Sequence, residues 1–234
     1  MPSGFRNRAP RLAALALALL VAVPATAMFV RTTVHFAASF DVSSAPGGGS
    51  VQADVGQIVL LAPPTEFNVT PTSGGGGELN IHDSGTLSQA TLVGTFKTNF
   101  KGQQLDATWT MRSGQTTSQF DVRFVDDSDS GMIDCGFGGD GTIVVGGQHL
   151  MPYVAGVDYD FALTINSPMV GPVTWTVLVT ALDGSQATAA GLGVLPYTSP
   201  VTIKAVMLVR PAGAPAGDFW VDELKAVSSS PSFK

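Results

Sequence analysis

The chain has 234 residues, with 12 Lys and Arg against 18 Asp and Glu and a net charge of −6. Its first 27 residues hold three of the arginines and no acid, so the remainder is more acidic, with 9 basic residues and a net charge near −9. Without clustered Lys and Arg it cannot neutralise a phosphate backbone or an anionic lipid surface, which excludes nucleic acid and acidic membranes as partners.

The opening segment sets the compartment. Arg6, Arg8 and Arg11 precede an apolar run over 12–23, Pro24 interrupts it, and Ala25-Thr26-Ala27 supplies small residues. A cationic start, a short apolar middle and an A-x-A end describe a secretory signal peptide over 1–27. The run is shorter than the roughly 20 residues of a spanning helix, so an uncleaved anchor is the weaker alternative and no membrane insertion is expected after cleavage. The expected location is secreted, periplasmic or otherwise extracellular, with a single domain over 28–227 and a disordered tail over 228–234. Cys135 is the only cysteine, so no internal disulfide can form. Ile133 and Phe137 share its side of a predicted strand, which places the thiol in the interior.

Beyond residue 27 the hydrophobic period is two almost everywhere. In chain order, strands are predicted at 33–41, 51–61, 78–83, 90–100, 105–112, 118–125, 132–137, 142–145, 157–165, 173–180, 201–209 and 218–227. The clearest alternations are Leu105, Ala107, Trp109, Met111; then Tyr159, Phe161, Leu163, Ile165; then Val173, Trp175, Val177, Val179. One apolar and one polar face per strand is the pattern of an antiparallel sheet with one side on a core. About a dozen short strands separated by Gly, Pro, Asn, Asp and Ser predict an all-β, antiparallel two-sheet sandwich of jelly-roll type. The acidic stretch from Asp126 to Gly131 reads as a tight turn joining two strands into a hairpin.

Several segments resemble the concanavalin A-like lectin/glucanase superfamily, including its laminin-G-like and carbohydrate-binding branches. They are Ala37-Ala38-Ser39-Phe40-Asp41, then Phe120-Asp121-Val122-Arg123-Phe124 with the acidic turn and Gly131-Met132-Ile133. Tyr159 to Ile165 with Thr174-Trp175-Thr176-Val177, and the closing Phe219-Trp220-Val221-Asp222-Glu223-Leu224, complete the likeness over about residues 34–227. The resemblance implies a jelly-roll sandwich and, by analogy, carbohydrate as the ligand class; a shared fold alone does not transfer function. It also implies a structural calcium ion held between the first and last strands, by Asp41 and Asp222. The alternative is that both aspartates cap strand ends and face water.

Catalytic signatures of that superfamily are missing. Glycoside hydrolysis needs two carboxylates at a defined separation, and Glu66, Glu78 and Glu223 stand alone, outside any E-x-D-x-E run. Arg112-Ser113-Gly114 departs from the R-x-E-x-R strand of jelly-roll lyases, and Gln148-His149 lacks the spacer of their Q-x-H motif. His35, His82 and His149 are too far apart in sequence to suggest a zinc site. The acidic turn does not fit a calcium loop, because Phe137 stands where a bidentate Glu belongs.

Sugar rings stack on exposed aromatics. Trp109 and Trp175 alternate with core residues, Trp220 fits either environment, and Tyr153 beside Pro152 is the exposed candidate. The polar faces of two consecutive strands present Asp106, Thr108, Thr110 and Arg112, then Asp121 and Arg123. If those strands pair, the arginines and aspartates share one surface able to recognise a hydroxyl-rich or carboxylated polysaccharide. Otherwise they form cross-strand ion pairs on a wet face, each contributing less than about 1 kcal/mol. Asn68-Val69-Thr70 matches the N-glycosylation pattern. The expected function is non-catalytic recognition of an extracellular polysaccharide or glycan through Asp106, Arg112, Asp121, Arg123 and Tyr153. A structural or adhesive surface scaffold is the alternative, followed by an unrecognised polysaccharide hydrolase or lyase.

Overall fold

The computed structural model describes residues 29–40, 53–60, 67–71, 77–83, 90–102, 104–127, 131–168, 170–192, 202–210 and 214–232. The predicted signal peptide lies outside them. Among the described residues there are strands and turns and no helix. The strands are β1 (Phe29–Ala38), β2 (Gln57–Leu60), β3 (Phe67–Pro71), β4 (Gly77–Asp83), β5 (Ala90–Phe100), β6 (Gln104–Ser113), β7 (Phe120–Asp126) and β8 (Gly131–Phe137). They continue as β9 (Thr142–Val145), β10 (Gln148–Pro152), β11 (Asp158–Asn166), β12 (Thr174–Ala181), β13 (Gln186–Leu192), β14 (Ile203–Val209) and β15 (Gly217–Ser232).

They form two antiparallel sheets. The eight-stranded sheet runs β13-β12-β11-β6-β15-β4-β3, with β1 also paired to β15; the seven-stranded sheet runs β10-β9-β8-β7-β14-β5-β2. This is the two-sheet jelly-roll sandwich that the alternation predicts. The consecutive strands β6 and β7 do not pair: β6 lies between β11 and β15 in one sheet, and β7 between β8 and β14 in the other.

Alternation explains which side chains meet. On β6, Leu105, Ala107, Trp109 and Met111 point inward and are buried. Trp109 stacks on Phe161 of β11 with ring centroids 5.2 Å apart, and meets Phe124 of the facing sheet at 5.9 Å. Phe120 and Phe219 close a second contact between the sheets at 4.6 Å. Full burial of each such side chain stabilises the fold by roughly 1.5–3 kcal/mol. Two glycines mark where a ring takes the room of a side chain. A Cβ on Gly94 of β5 would lie 2.7 Å from the Phe36 ring, and one on Gly191 of β13 would lie 2.7 Å from the Trp175 ring. Cys135 is fully buried, and burial pushes its thiol well above its ordinary pKa.

β15 does not stop where the sequence suggests a disordered tail. It continues to Ser232, paired residue by residue with β1 from Phe29 onward. His35 of β1 anchors this end, one ring nitrogen 2.7 Å from the Thr98 carbonyl and the other 2.8 Å from the Ser228 hydroxyl. That pairing supplies the tail with the order its Ser-rich composition lacks.

Candidate functional site on the eight-stranded sheet

One strand builds the site. Along one edge, β15 pairs first with β4 over 217–221 and then with β1 over 224–232, while its other edge follows β6. Where the partner changes, the β6 register slips between Asp222 and Lys225, and Glu223 adopts φ +50°. A non-glycine residue in that left-handed conformation costs about 1 kcal/mol or more. The Glu223 amide donates to Asp222 Oδ1 at 2.7 Å, which closes the bulge on itself.

A concavity of about 470 Å³ opens at this switch, lined among others by Ser39, Asp54, Thr108, Glu223 and Lys225. A second, of about 260 Å³, lies on the same outer face over β6, β11 and β12, where Thr110, Asp160, Ala162, Leu178 and Thr180 line it. Thr108 and Glu223 line both, so the two adjoin and cross the strands as one groove.

Beside the groove, cross-strand neighbours form a polar network. Arg112 of β6 stands opposite Asp158 of β11 and Trp220 of β15. Its guanidinium donates to Glu78 Oε1 at 2.6 Å and to Asp158 Oδ1 at 3.0 Å, and lies 4.6 Å from the centre of the Trp220 ring. Thr110 donates to Asp160 Oδ1 at 2.7 Å. Asp106 accepts from the Thr164 hydroxyl at 2.8 Å and from the Gln104 amide at 3.0 Å. Burial first, and then the nearby charges of Glu223, Glu78 and Asp158, push the Asp222 carboxyl up to about 6, against the opposing effect of the Glu223 amide.

The residues selected from sequence do not all share this surface. Asp106, Arg112 and Asp222 lie on the outer face of the eight-stranded sheet. Asp121 and Arg123 lie on β7, in the other sheet, so the expected joint Arg–Asp surface does not form. Arg123 is held by both oxygens of Asp134 on β8, at 2.5 and 2.8 Å. Asp121 is only 5% exposed, and burial, reinforced by the charge of Asp134, pushes its carboxyl up to about 7 while the Gln119 amide and Arg123 pull the other way. Tyr153 is not an exposed platform either. It is buried, with its ring 4.6 Å from Phe137 and its hydroxyl donating toward the Gln115 and Gly138 carbonyls at 3.2 Å. Its amide donates to the Gly141 carbonyl at 3.0 Å, which folds the segment after β10 inward.

Asp41, the proposed partner of Asp222 in a calcium site, lies outside the described residues. Among the described residues, no three His, Cys, Asp or Glu side chains converge in a way that could hold a metal ion. His82 and His149 each pair with one aspartate at an exposed position, Asp218 at 2.7 Å and Asp140 at 3.0 Å. Sequence reasoning passed over Glu78, Asp158, Asp160 and Glu223 as site residues and left Trp220 open. The signal for the last strand was present: buried positions change phase from Phe219 and Val221 to Leu224 and Ala226. Two consecutive polar residues, Asp222-Glu223, where alternation calls for one, are what a one-residue bulge looks like in sequence.

No protein-family model matches the chain, and no curated protein matches it by sequence. Solved structures do match. An alginate lyase from Aplysia kurodai superposes with a TM-score of 0.59 at 7% identity, covering 83% of this chain and 98% of that one. A peanut lectin, solved with a 9mer peptide, superposes with a TM-score of 0.51 at 10% identity, covering 88% and 100%. A sialidase matches at TM-score 0.49 and 13% identity over 77% of this chain, which spans about a fifth (19%) of that protein. The lyase and the lectin define the class of fold: a concanavalin A-like, two-sheet jelly-roll sandwich. Among the described residues no helix is long and apolar enough to cross a membrane.

Proposed function

We propose that the chain recognises an extracellular carbohydrate on the outer face of its eight-stranded sheet, in the groove that crosses β12, β11, β6 and β15. The observation that carries this is the joined concavity itself, floored by hydroxyl and carboxylate side chains and flanked by a half-buried indole, Trp220. Carbohydrates present alternating polar edges and weakly apolar ring faces. A surface that combines Thr108, Thr110, Thr180 and Asp160 with an aromatic ring matches both. The alginate lyase and lectin of the same fold act on or are named for such ligands, which supports the ligand class and leaves the residues to be tested. Export through the predicted signal peptide would place the groove where polysaccharide is found.

Affinity electrophoresis through gels containing soluble polysaccharides tests this directly. At least one gel is expected to retard the protein, and Trp220→Ala and Thr110→Val are each expected to weaken that retardation. Free migration through every gel by folded protein overturns the proposal. Asp222 favours a second reading, catalysis, because a carboxyl that keeps its proton to about pH 6 can act as a general acid. New reducing ends released from a retained polysaccharide, and lost in Asp222→Asn, would establish that reading.

A further inference from the structure

Resting on the carbohydrate reading above, we infer that the groove selects glycans bearing protonated amino groups, such as glucosamine polymers, and discriminates against uronate polymers. Two independent features lead here. The first is what lines the groove. Among the described residues that line it, the charged ones are Asp54, Asp160 and Glu223, against the single ammonium of Lys225. Glu223, fixed by the bulge, lines both halves, so a chain lying along the groove passes its carboxylate wherever it binds.

The second is where the arginines went. Recognition of a uronate calls for a guanidinium free to form paired hydrogen bonds with a carboxylate. Arg112, the arginine flanking the groove, already gives one N–H from each terminal nitrogen to Glu78 and Asp158 and lays one face on Trp220, so its fork is engaged by two carboxylates of the protein. Arg123 is closed by Asp134 on the other sheet. Besides the Lys225 ammonium, the polar side chains left for a ligand are hydroxyls and three carboxylates; both kinds accept hydrogen bonds from ammonium groups, and the carboxylates, outnumbering the one cation, repel other carboxylates.

The test compares three oligosaccharides of equal length by calorimetry at low ionic strength and pH 6: a glucosamine oligomer, its fully N-acetylated counterpart, and an oligouronate. Two ammonium–carboxylate contacts are expected to favour the glucosamine oligomer over the neutral one by about tenfold, with no measurable uronate binding. Glu223→Gln and Asp160→Asn, singly and together, are expected to shrink that ratio. Asp127→Asn removes the same charge from an exposed turn after β7 and is expected to change nothing. Equal binding of the amino and N-acetylated oligomers, or tighter binding of the uronate, overturns the inference while the carbohydrate reading stands. Loss of the preference in Asp127→Asn as large as in Glu223→Gln also overturns it, because the attraction would then belong to the acidic molecule as a whole. Failure of all three oligomers and every polysaccharide gel overturns both.

Discussion

Burial holds the Asp121 carboxyl at about 7 and the Asp222 carboxyl at about 6, so both keep protons that an exposed aspartate releases near pH 4. A raised folded-state value means that folding favours the protonated form. The contribution of Asp121 is complete below about pH 4 and is lost as pH rises through about 7. The difference from 3.8 corresponds to at most about 4 kcal/mol, and Asp222, nearer to water, contributes much less. Asp134, Arg123 and Cys135 share this surroundings, and only Arg123 opposes the shift by its charge. The melting temperature is therefore expected to fall between pH 5 and pH 8, and Asp121→Asn is expected to remove most of that fall; an unchanged slope in the variant would contradict the assignment. Arg112 acts in the opposite sense. Its removal takes from Glu78, with a side chain only 16% exposed, and from Asp158 the guanidinium that both carboxylates share. Arg112→Ala should cost about 2–3 kcal/mol in urea denaturation, and a midpoint equal to wild type would show that water takes over the role of the guanidinium.

At the scale of elements, the strands legible in sequence are those with strict alternation. β6, β11 and β12 sit within a residue or so of their expected places, because each buries one face and a slip of one residue would turn that face to water. Three strands were not foreseen. β10 follows β9 through Gly146-Gly147, both with positive φ, the two-residue turn that favours a tight hairpin, and that signal was present but not used. β13 is largely Ala and Thr, too weakly apolar to announce itself, and gains its place by pairing along β12. β3, with the glycosylation sequence Asn68-Val69-Thr70, is bounded by Pro71 and lies at the sheet edge, where proline is tolerated. The bulge in β15 carries its own test. Glycine adopts φ +50° freely and a β-branched residue does so poorly. Glu223→Gly should be tolerated, whereas Glu223→Val should cost about 1–2 kcal/mol; the reverse order would show that the side chain, not the backbone, fixes this turn.

At the scale of the molecule, two stacked sheets followed from composition and period, but the assignment of strands to sheets did not. Alternation says which side of a strand is wet and is silent on which sheet receives it. That is why Asp106 and Arg112 came apart from Asp121 and Arg123. Pairing between distant segments is set by the packing of the whole core, with Trp109, Phe161 and Phe124 bridging the sheets. The same dependence on distant partners predicts that deleting 224–232 will abolish cooperative unfolding, since β1 loses its whole ladder and His35 its contact with Ser228, 193 positions away. A truncated protein that still melts in one sharp transition would mean that β1 finds another partner.

The central place of β15 also orders events in time. β1, β4 and β6 all leave the ribosome before the strand that joins them, so their edges wait unsatisfied until it follows. Contacts that close over so long a stretch form slowly. A nascent chain of this design is expected to stay unfolded, and open to protease, until β15 has emerged.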